Sequence, residues 1–263
     1  MPLSNELSDA MRARLDAASQ GDLQGSDMRW LKPLFRVQEQ SSAIPAANEL
    51  LIERLKNRDG HFLFFYPFDG RLVHEGLAAL IALRISRTVP ITFSLTMNDY
   101  GFALIAAQEI PFQISHCEQL FSTKDLEADI LKTLNATEMC KRQFREVARV
   151  SGLVFQGYPG QKKQAKHLQA SSNLFYDVFE NYDPENLLLS QTKREVLDHQ
   201  LQQSRLEGCL KRLQRSKIVI QSLSMPSPFS FGLIVDRLRE RVSSETFADR
   251  VRKMQEKLEL RHQ

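Results

Sequence analysis

Apolar residues recur at helical spacing over residues 5–19 and 27–40, on either side of a Gly21–Gly25 loop. Asp27 stands where the second helix needs an N-cap. Glu49 to Lys56, ELLIERLK, fits helix or strand by pattern alone. The Asp59-Gly60 pair and the aromatic run HFLFFYPF after it favour a β-hairpin. Pro67 to Gly70 ends the second strand. From Arg71 to Arg87 the chain is apolar on nearly all sides, which predicts a buried helix that stops before Pro90. Residues 91–98 then alternate, with Ile91, Phe93, Leu95 and Met97 on one side and Thr92, Ser94, Thr96 and Asn98 on the other. That is the pattern of a strand with one wet face. A turn at Asn98 to Gly101 leads into a partner strand, FALIAAQ.

Beyond Ser122 the periodicity is helical, over about 122–134, 137–153, 164–181 and 189–214. Asn135, Gly157 to Gly160 and Asp183-Pro184 are the expected breaks. A strand at 217–223, a Pro226-Ser227-Pro228 turn and the segment FSFGLIVDRL follow. The last helix, 244–260, carries Phe247, Val251, Met254 and Leu258 as an apolar stripe. Strands mixed with runs of helices, without βαβ alternation, predict an α+β fold. Its expected form is antiparallel sheet elements around a buried helix, then a mostly helical half and a C-terminal amphipathic helix. The expected segments are 1–45 (helical), 46–121 (strand-rich core), 122–215 (helical, with a basic stretch) and 216–263 (strands and the last helix). Residues 46–263 are expected to form one compact unit.

Composition narrows the class. The 263 residues are 42% hydrophobic and 25% charged, enough to bury a core. No apolar run approaches the roughly eighteen residues of a membrane span, and the polar start has no signal-peptide centre. A cytoplasmic location and no membrane contact are therefore expected. Cys117, Cys140 and Cys209 are too far apart for a zinc site or a disulfide framework and are expected as small buried hydrophobes. A net charge of +3 does not establish nucleic-acid binding, which depends on where the charge lies.

The chemistry-bearing motifs are mostly negative. The text nearest a P-loop, Gly157-Tyr158-Pro159-Gly160-Gln161-Lys162-Lys163, has the wrong glycine spacing, loses an amide to Pro159 and lacks the Ser/Thr after the lysine. No acidic DEXH-like run follows an apolar strand, so this chain alone is expected to hydrolyse no ATP and to need no cofactor. His74-Glu75 begins an H-E-x-x-H zinc motif, but Ala78 stands where the second His is required. Asp69, His74, Glu75 and Gly76 are therefore read as structural, with no catalytic residue and no metal ligand. A standalone hydrolase using His74 or Glu75 is the weakest alternative.

The best binding signal is residues 141–167, KRQFREVARVSGLVFQGYPGQKKQAKH. Lys141, Arg142, Arg145 and Arg149 fall on a helix, and Lys162, Lys163 and Lys166 open the next one after a loop bearing Phe155 and Tyr158. Cations beside aromatic rings suit a nucleic-acid strand, with charge on phosphates and rings on bases. The alternative is a solvated basic face with both rings in the core. The candidate contacts are Arg145, Arg149, Tyr158, Lys162, Lys163 and Lys166, and Gln169, Ser171, Ser172 and Asn173 could add hydrogen bonds. Trp30, the one tryptophan, is expected in the core rather than as a base-stacking ring.

Several blocks resemble the C-terminal region of Lhr-type DEXH-box helicases, specifically their ligase-associated DNA damage response branch. They are YPFDGRLVHEGLAALIALR at 66–84, ITFSLTMNDYGFAL at 91–104, residues 145–197 and residues 226–259. The resemblance implies the DEAD/DEAH-associated α+β domain that follows two motor domains and a winged helix. For the family it implies ATP-driven 3′-to-5′ movement on single-stranded DNA, unwinding that favours RNA:DNA hybrids in some members, and a role in DNA repair. ATP and Mg²⁺ belong to the motor domains. Relatives can carry an aromatic base-stacking residue shortly before the proline matching Pro45, where this chain has Gln40-Ser41-Ser42. The expected partners are single-stranded DNA or an RNA:DNA hybrid, helicase motor domains in cis or as a separate chain, and ligase-associated repair proteins. The alternative is a module that docks on a separately encoded motor or ligase without touching DNA.

Overall fold

In the computed structural model, which describes residues 3–154, 157–158, 161–162, 165–200, 202–240, 251–252 and 254–255, two helices open the chain: α1 (Asn5–Ser19) and α2 (Ser26–Ser41). The hairpin β1 (Glu49–Asn57) and β2 (Gly60–Phe65) comes next, then α3 (Arg71–Ser86), β3 (Ser94–Met97) and β4 (Phe102–Ala106). Short helices α4 (Cys117–Leu120) and α5 (Leu126–Leu131) lead to α6 (Leu134–Val150). A two-residue ladder of β5 (Gly157–Tyr158) and β6 (Gln161–Lys162) precedes α7 (Ala165–Tyr182) and α8 (Leu187–Glu195). The chain continues with α9 (Gln203–Arg215), β7 (Lys217–Leu223) and α10 (Pro228–Glu240). It divides into two compact units, residues 1–123 with 207–263, and residues 124–206.

The first unit is built on a five-stranded sheet in the order β3-β4-β2-β1-β7. Three of its pairings are antiparallel, but β7 lies parallel to β1, with Leu50 opposite Ile218 and Leu55 opposite Leu223. The sheet is therefore mixed, within the expected α+β class. Gly60 closes the hairpin at φ +130°, where a Cβ would stand 2.5 Å from the Ala106 carbonyl oxygen, so the position needs glycine. One face of the sheet, with Leu51, Leu55, Phe62, Phe64, Tyr66, Ala103 and Ile105, packs with Leu15, Met28, Phe35, Leu233 and Ile234 from α1, α2 and α10. The alternate residues Leu50, Ile52, Leu63, Phe65, Phe102 and Leu104 are equally buried, and Phe65 stacks on Phe102 at 4.8 Å. The buried helix α3 packs along β3 and β4. Its buried Arg84 donates to the carbonyls of Leu120, the last residue of α4, and Ser122, in the loop after it, each at 2.7 Å.

Several local expectations change in the three-dimensional setting. Gly25, at φ +111°, is the N-cap of α2; Asp27 sits in the first turn and pairs with Arg14 at 3.5 Å. Thr96 is buried although the alternation of β3 assigns it to water, because α10 covers that face and the Thr96 hydroxyl donates to the Leu233 carbonyl at 3.4 Å. The single helix expected over 189–214 is split by a π-helical turn at Val196–Gln200 and by Gln202 at φ +47°. Asn135 lies within α6 rather than breaking a helix, and FSFGLIVDRL is helical in α10. The helix expected at 244–260 lies outside the described residues, except that 251–252 and 254–255 are helical and Met254 packs on the core.

Inside this core sits a carboxylate with no cation beside it among the contacts described. Glu53 is fully buried and accepts from the Tyr66 hydroxyl at 2.6 Å, the Ser227 hydroxyl at 2.7 Å and the Gln38 amide at 2.9 Å. Gln38 in turn accepts from the Phe229 N–H at 3.0 Å and donates to the Ala43 carbonyl at 3.1 Å. Burial, then the nearby Glu53 charge, pushes the Tyr66 phenol well above its ordinary pKa, so it stays a donor. Replacing Glu53 with Ala strands three buried donors, and a loss of about 3 kcal/mol is expected in urea unfolding. Tyr66→Phe, which removes one donor of three, is expected to cost about 1 kcal/mol. Unchanged urea midpoints in both variants would show that the network contributes nothing to stability.

Candidate nucleic-acid interface

The second unit is helical, and its core decides which side of α6 meets water. Cys140, Phe144, Val147 and Ala148 are buried at helical spacing. Phe144 meets Tyr176 and Phe179 of α7 edge-on, at 5.5 and 6.1 Å, and α8 packs against α6 as well. α6 ends where Gly152 takes φ +76°, with the Val154 N–H returning to the Ala148 carbonyl at 3.0 Å. With that side committed to packing, Arg142, Arg145 and Arg149 fall on an outward face at steps of three and four residues.

The charges on this face are partly compensated. Glu146 lies between the arginines and pairs with Arg149 at 2.8 Å and Arg145 at 3.4 Å, and all three side chains are more than 40% exposed. Lys141 is turned toward α7 and held by Asp177 at 3.1 Å. Glu138, exposed one turn before Arg142, is a second acid on this side, so three arginines against two glutamates leave the face cationic by a single charge, and exposed pairs of this kind are weak enough to yield to another anion. Tyr158 and Lys162 belong to the β5–β6 ladder, where Gly157 is opposite Lys162 and Tyr158 opposite Gln161. Lys166 is the second residue of α7. The side chains of Tyr158, Lys162 and Lys166, and the whole of Lys163, lie outside the described residues, as does Phe155. Of the supporting polar residues, Ser171 is exposed and Asn173 half-buried, while Ser172 is fully buried and so faces the core rather than a ligand.

The His and acids of the first unit are taken up by the fold. The turn after β2 holds Phe68 at φ +57° and Gly70 at φ +90°. The His74 ring closes it: Nε2 accepts the Asp69 N–H at 3.0 Å and Nδ1–H donates to the Asn98 carbonyl at 2.6 Å. Both ring nitrogens are occupied, so neither is open to a metal or a substrate. Asp69 bridges Arg12 and Arg212, which also donate to the carbonyls of Phe68 at 3.0 Å and Pro67 at 2.9 Å. Burial raises the Asp69 pKa, but Arg212 and Arg12 outweigh it and hold the carboxyl below its usual range. Asp99 accepts the Arg71 N–H at 3.0 Å, capping α3. Glu75 is half-buried and Gly76 is buried within α3. All three cysteines are buried and free, and burial pushes the Cys117 and Cys140 thiols up to about 11. Among the described residues no group of three or more His, Cys, Asp or Glu could hold a metal ion, and no helix is long and apolar enough to cross a membrane.

Sequence reasoning missed Glu53 and the exposure of Trp30. Glu53 sits between Leu51 and Leu55 on the core side of β1, and an acid in that register was the available signal. Trp30 is 84% exposed, because Met28, Phe35 and Gln38 are the residues of α2 that turn inward.

A mixed-sheet α+β unit joined in sequence to a helical unit with a cationic face defines the class. The DEAD/H associated family model matches residues 44–230, and the chain belongs to that family. It is similar to the ATP-dependent helicase Lhr-Core protein 2 of Thermococcus barophilus, 27% identical over 85% of this chain and 26% of that protein. It is also similar to the ATP-dependent helicase Lhr-Core of Methanocaldococcus jannaschii, 25% identical over 81% of this chain and 25% of that protein. The chain thus spans about a quarter of the length of these relatives. Its fold matches a Mycobacterium smegmatis helicase Lhr solved with single-stranded DNA and AMP-PNP, with a TM-score of 0.64 and 22% identity, over 87% of this chain and 30% of that one.

The enclosed histidine carries a pH signature. Burial lowers the His74 pKa from 6.5 to about 4, so between those values the unfolded chain binds a proton that the folded chain refuses. Stability from this group is complete above pH 6.5 and is lost as pH falls toward 4, by about 3 kcal/mol across the window. The depressed Asp69 pKa adds its own loss only at lower pH, below the ordinary 3.8. Urea unfolding at several pH values should show this decline, and His74→Gln should flatten it while lowering stability at pH 7. Parallel declines in both proteins would assign the titration to another group.

Proposed function

We propose that this chain is the nucleic-acid-binding, DEAD/H-associated part of a ligase-associated Lhr-type ATP-dependent helicase in DNA repair. Its task is to supply a basic wall that keeps the tracking single strand in place, with no motor of its own. The observation that carries the reading is the outward face of α6, where Arg142, Arg145 and Arg149 outnumber Glu138 and Glu146. Membership of the DEAD/H associated family supports it, as do relatives named as ATP-dependent helicases and a neighbour in fold solved with single-stranded DNA. The basic stretch at Lys162, Lys163 and Lys166 continues the same segment of chain into the N-terminus of α7, a polarity that favours phosphate. Tyr158 is the candidate stacking ring. The ligase-associated branch is supported by the blocks at 66–84, 91–104, 145–197 and 226–259.

Fluorescence anisotropy with labelled oligo-dT, repeated across a salt series, tests the reading. Contact with four or five phosphates predicts a log–log slope of about −3, at roughly 0.7 per phosphate. Arg145→Ala and Arg149→Ala should each reduce that slope by about 0.7, with little change in unfolding midpoint. An RNA:DNA hybrid in the same titration sets the preference between the two ligands. Slopes near zero for both would leave the chain as a module docking on a separately encoded motor or ligase without DNA contact.

A further inference from the structure

Helix α2 has a wider apolar arc than the core uses. Met28, Phe35 and Gln38 point inward, the first two into the core and the third onto Glu53, so the helix is fixed at both ends of its inner face. Beside that face a second row of apolar side chains is left in solvent. Trp30, Leu34 and Val37 recur at steps of four and three residues, with exposures of 84%, 39% and 41%, and Leu31 adds 41%. Large exposed apolar patches of this kind, rimmed by polar residues, mark interaction surfaces rather than ordinary solvent-facing helix.

The far side of this row is cationic. Arg29, Lys32 and Arg36 are exposed at steps of three and four residues, and none makes an ion pair among the described residues; Glu39 is the one acid beside them. Asp27, the other acid of α2, is engaged by Arg14. Pro33 also removes the amide that would bond the Arg29 carbonyl, leaving that acceptor to an outside donor. Exposed Trp and Arg are the residue types that dominate binding energy when a partner covers them. Oligonucleotides would use Trp30 and the cations, but Leu31, Leu34 and Val37 offer nothing to a phosphodiester. A protein helix with an apolar stripe and an acidic flank answers every part of the surface.

We propose that the Trp30–Leu34–Val37 face of α2 is a docking site for an amphipathic helix of a partner protein, with acidic residues along the edge that meets Arg29, Lys32 and Arg36. The site lies ahead of residues 44–230 that the family model matches, and it does not depend on single-strand binding by α6. Because Trp30 is the only tryptophan in the chain, its emission reports this surface alone. The test titrates the full chain with a synthetic amphipathic helix that carries Leu at steps of three and four, Glu along one flank and no aromatic residue. A blue shift of Trp30 emission that saturates is expected, with binding at least about tenfold weaker for a Lys-for-Glu peptide and for the Lys32→Glu/Arg36→Glu variant. Leu34→Glu, a surface change with an unaltered unfolding midpoint, should abolish the shift. Equal binding by a Ser-for-Leu peptide would reduce the face to a charge contact and overturn the proposal. So would quenching by oligo-dT without a peptide response, a concentration-dependent shift of the chain alone, or no response at all. Anisotropy of labelled oligo-dT with Arg145→Ala and Arg149→Ala reads the α6 surface separately, so the failure of one site is distinguishable from that of the other.

Discussion

A buried carboxylate is tolerable only if its lone pairs are met, and Glu53 forces three separate parts of the first unit to meet them together. Tyr66 comes from the end of the hairpin, Gln38 from α2 and Ser227 from the turn before α10, 174 residues away in sequence. Each donor is useful only if the others arrive, since a half-satisfied charge in that position costs more than an apolar core. The parallel strand β7, which delivers the Ser227 turn, and the helix α2, which delivers Gln38, are thereby tied to one register. Aromatic packing around the site, Tyr66 against Phe229 at 5.6 Å and Phe68 against Phe229 at 5.9 Å, keeps water from competing for the carboxylate.

The Pro67–Gly70 turn is a second fixed point, and it explains why residues that look catalytic are not free to act. Phe68 is held in a left-handed conformation that a bulky residue seldom adopts, a local cost of order 1 kcal/mol or more. The enclosing bonds repay it: Arg12 and Arg212 grip Asp69 and the adjacent carbonyls, and the His74 ring spans from Asp69 to Asn98. The result is a rigid platform on which α3 starts, capped by Asp99. Chemistry-bearing residue types are present here because a tight turn exposes backbone polar groups that need partners.

Surface charge and surface apolarity are the features left over once the two cores are packed. On α6 the leftover is positive by one charge, three arginines with two glutamates, which suits a polyanion and accords with a family whose relatives are named as helicases. On α2 it is an exposed row of Trp, Leu and Val beside three cations, which suits a protein surface. The two helices lie in different compact units, so each surface can be understood from its own unit.

Much of the local structure was legible from spacing. The hairpin at β1–β2, the all-round apolar α3, the helices α1, α2, α6 and α7 and the strand β7 follow from periodicity and turn residues, because those rules act over a few neighbours. The arginines on the outer side of α6 were marked by their spacing as well, and long blocks of text pointed to the DEAD/H associated family. What spacing could not reach depends on distant partners. Thr96 is dry because α10 arrives from beyond residue 227; β7 is parallel because its neighbour is β1; Lys141 is spent on Asp177 of α7. Glu53 sits at a core position that its charge argues against, and Trp30 at a solvent position that its ring argues against. The sequence alone determined most of the helices and strands and the lineage to which the chain belongs. Only the tertiary structure decided which polar groups are buried and which apolar ones are left out, because burial is a property of what packs against a residue and not of the residue itself.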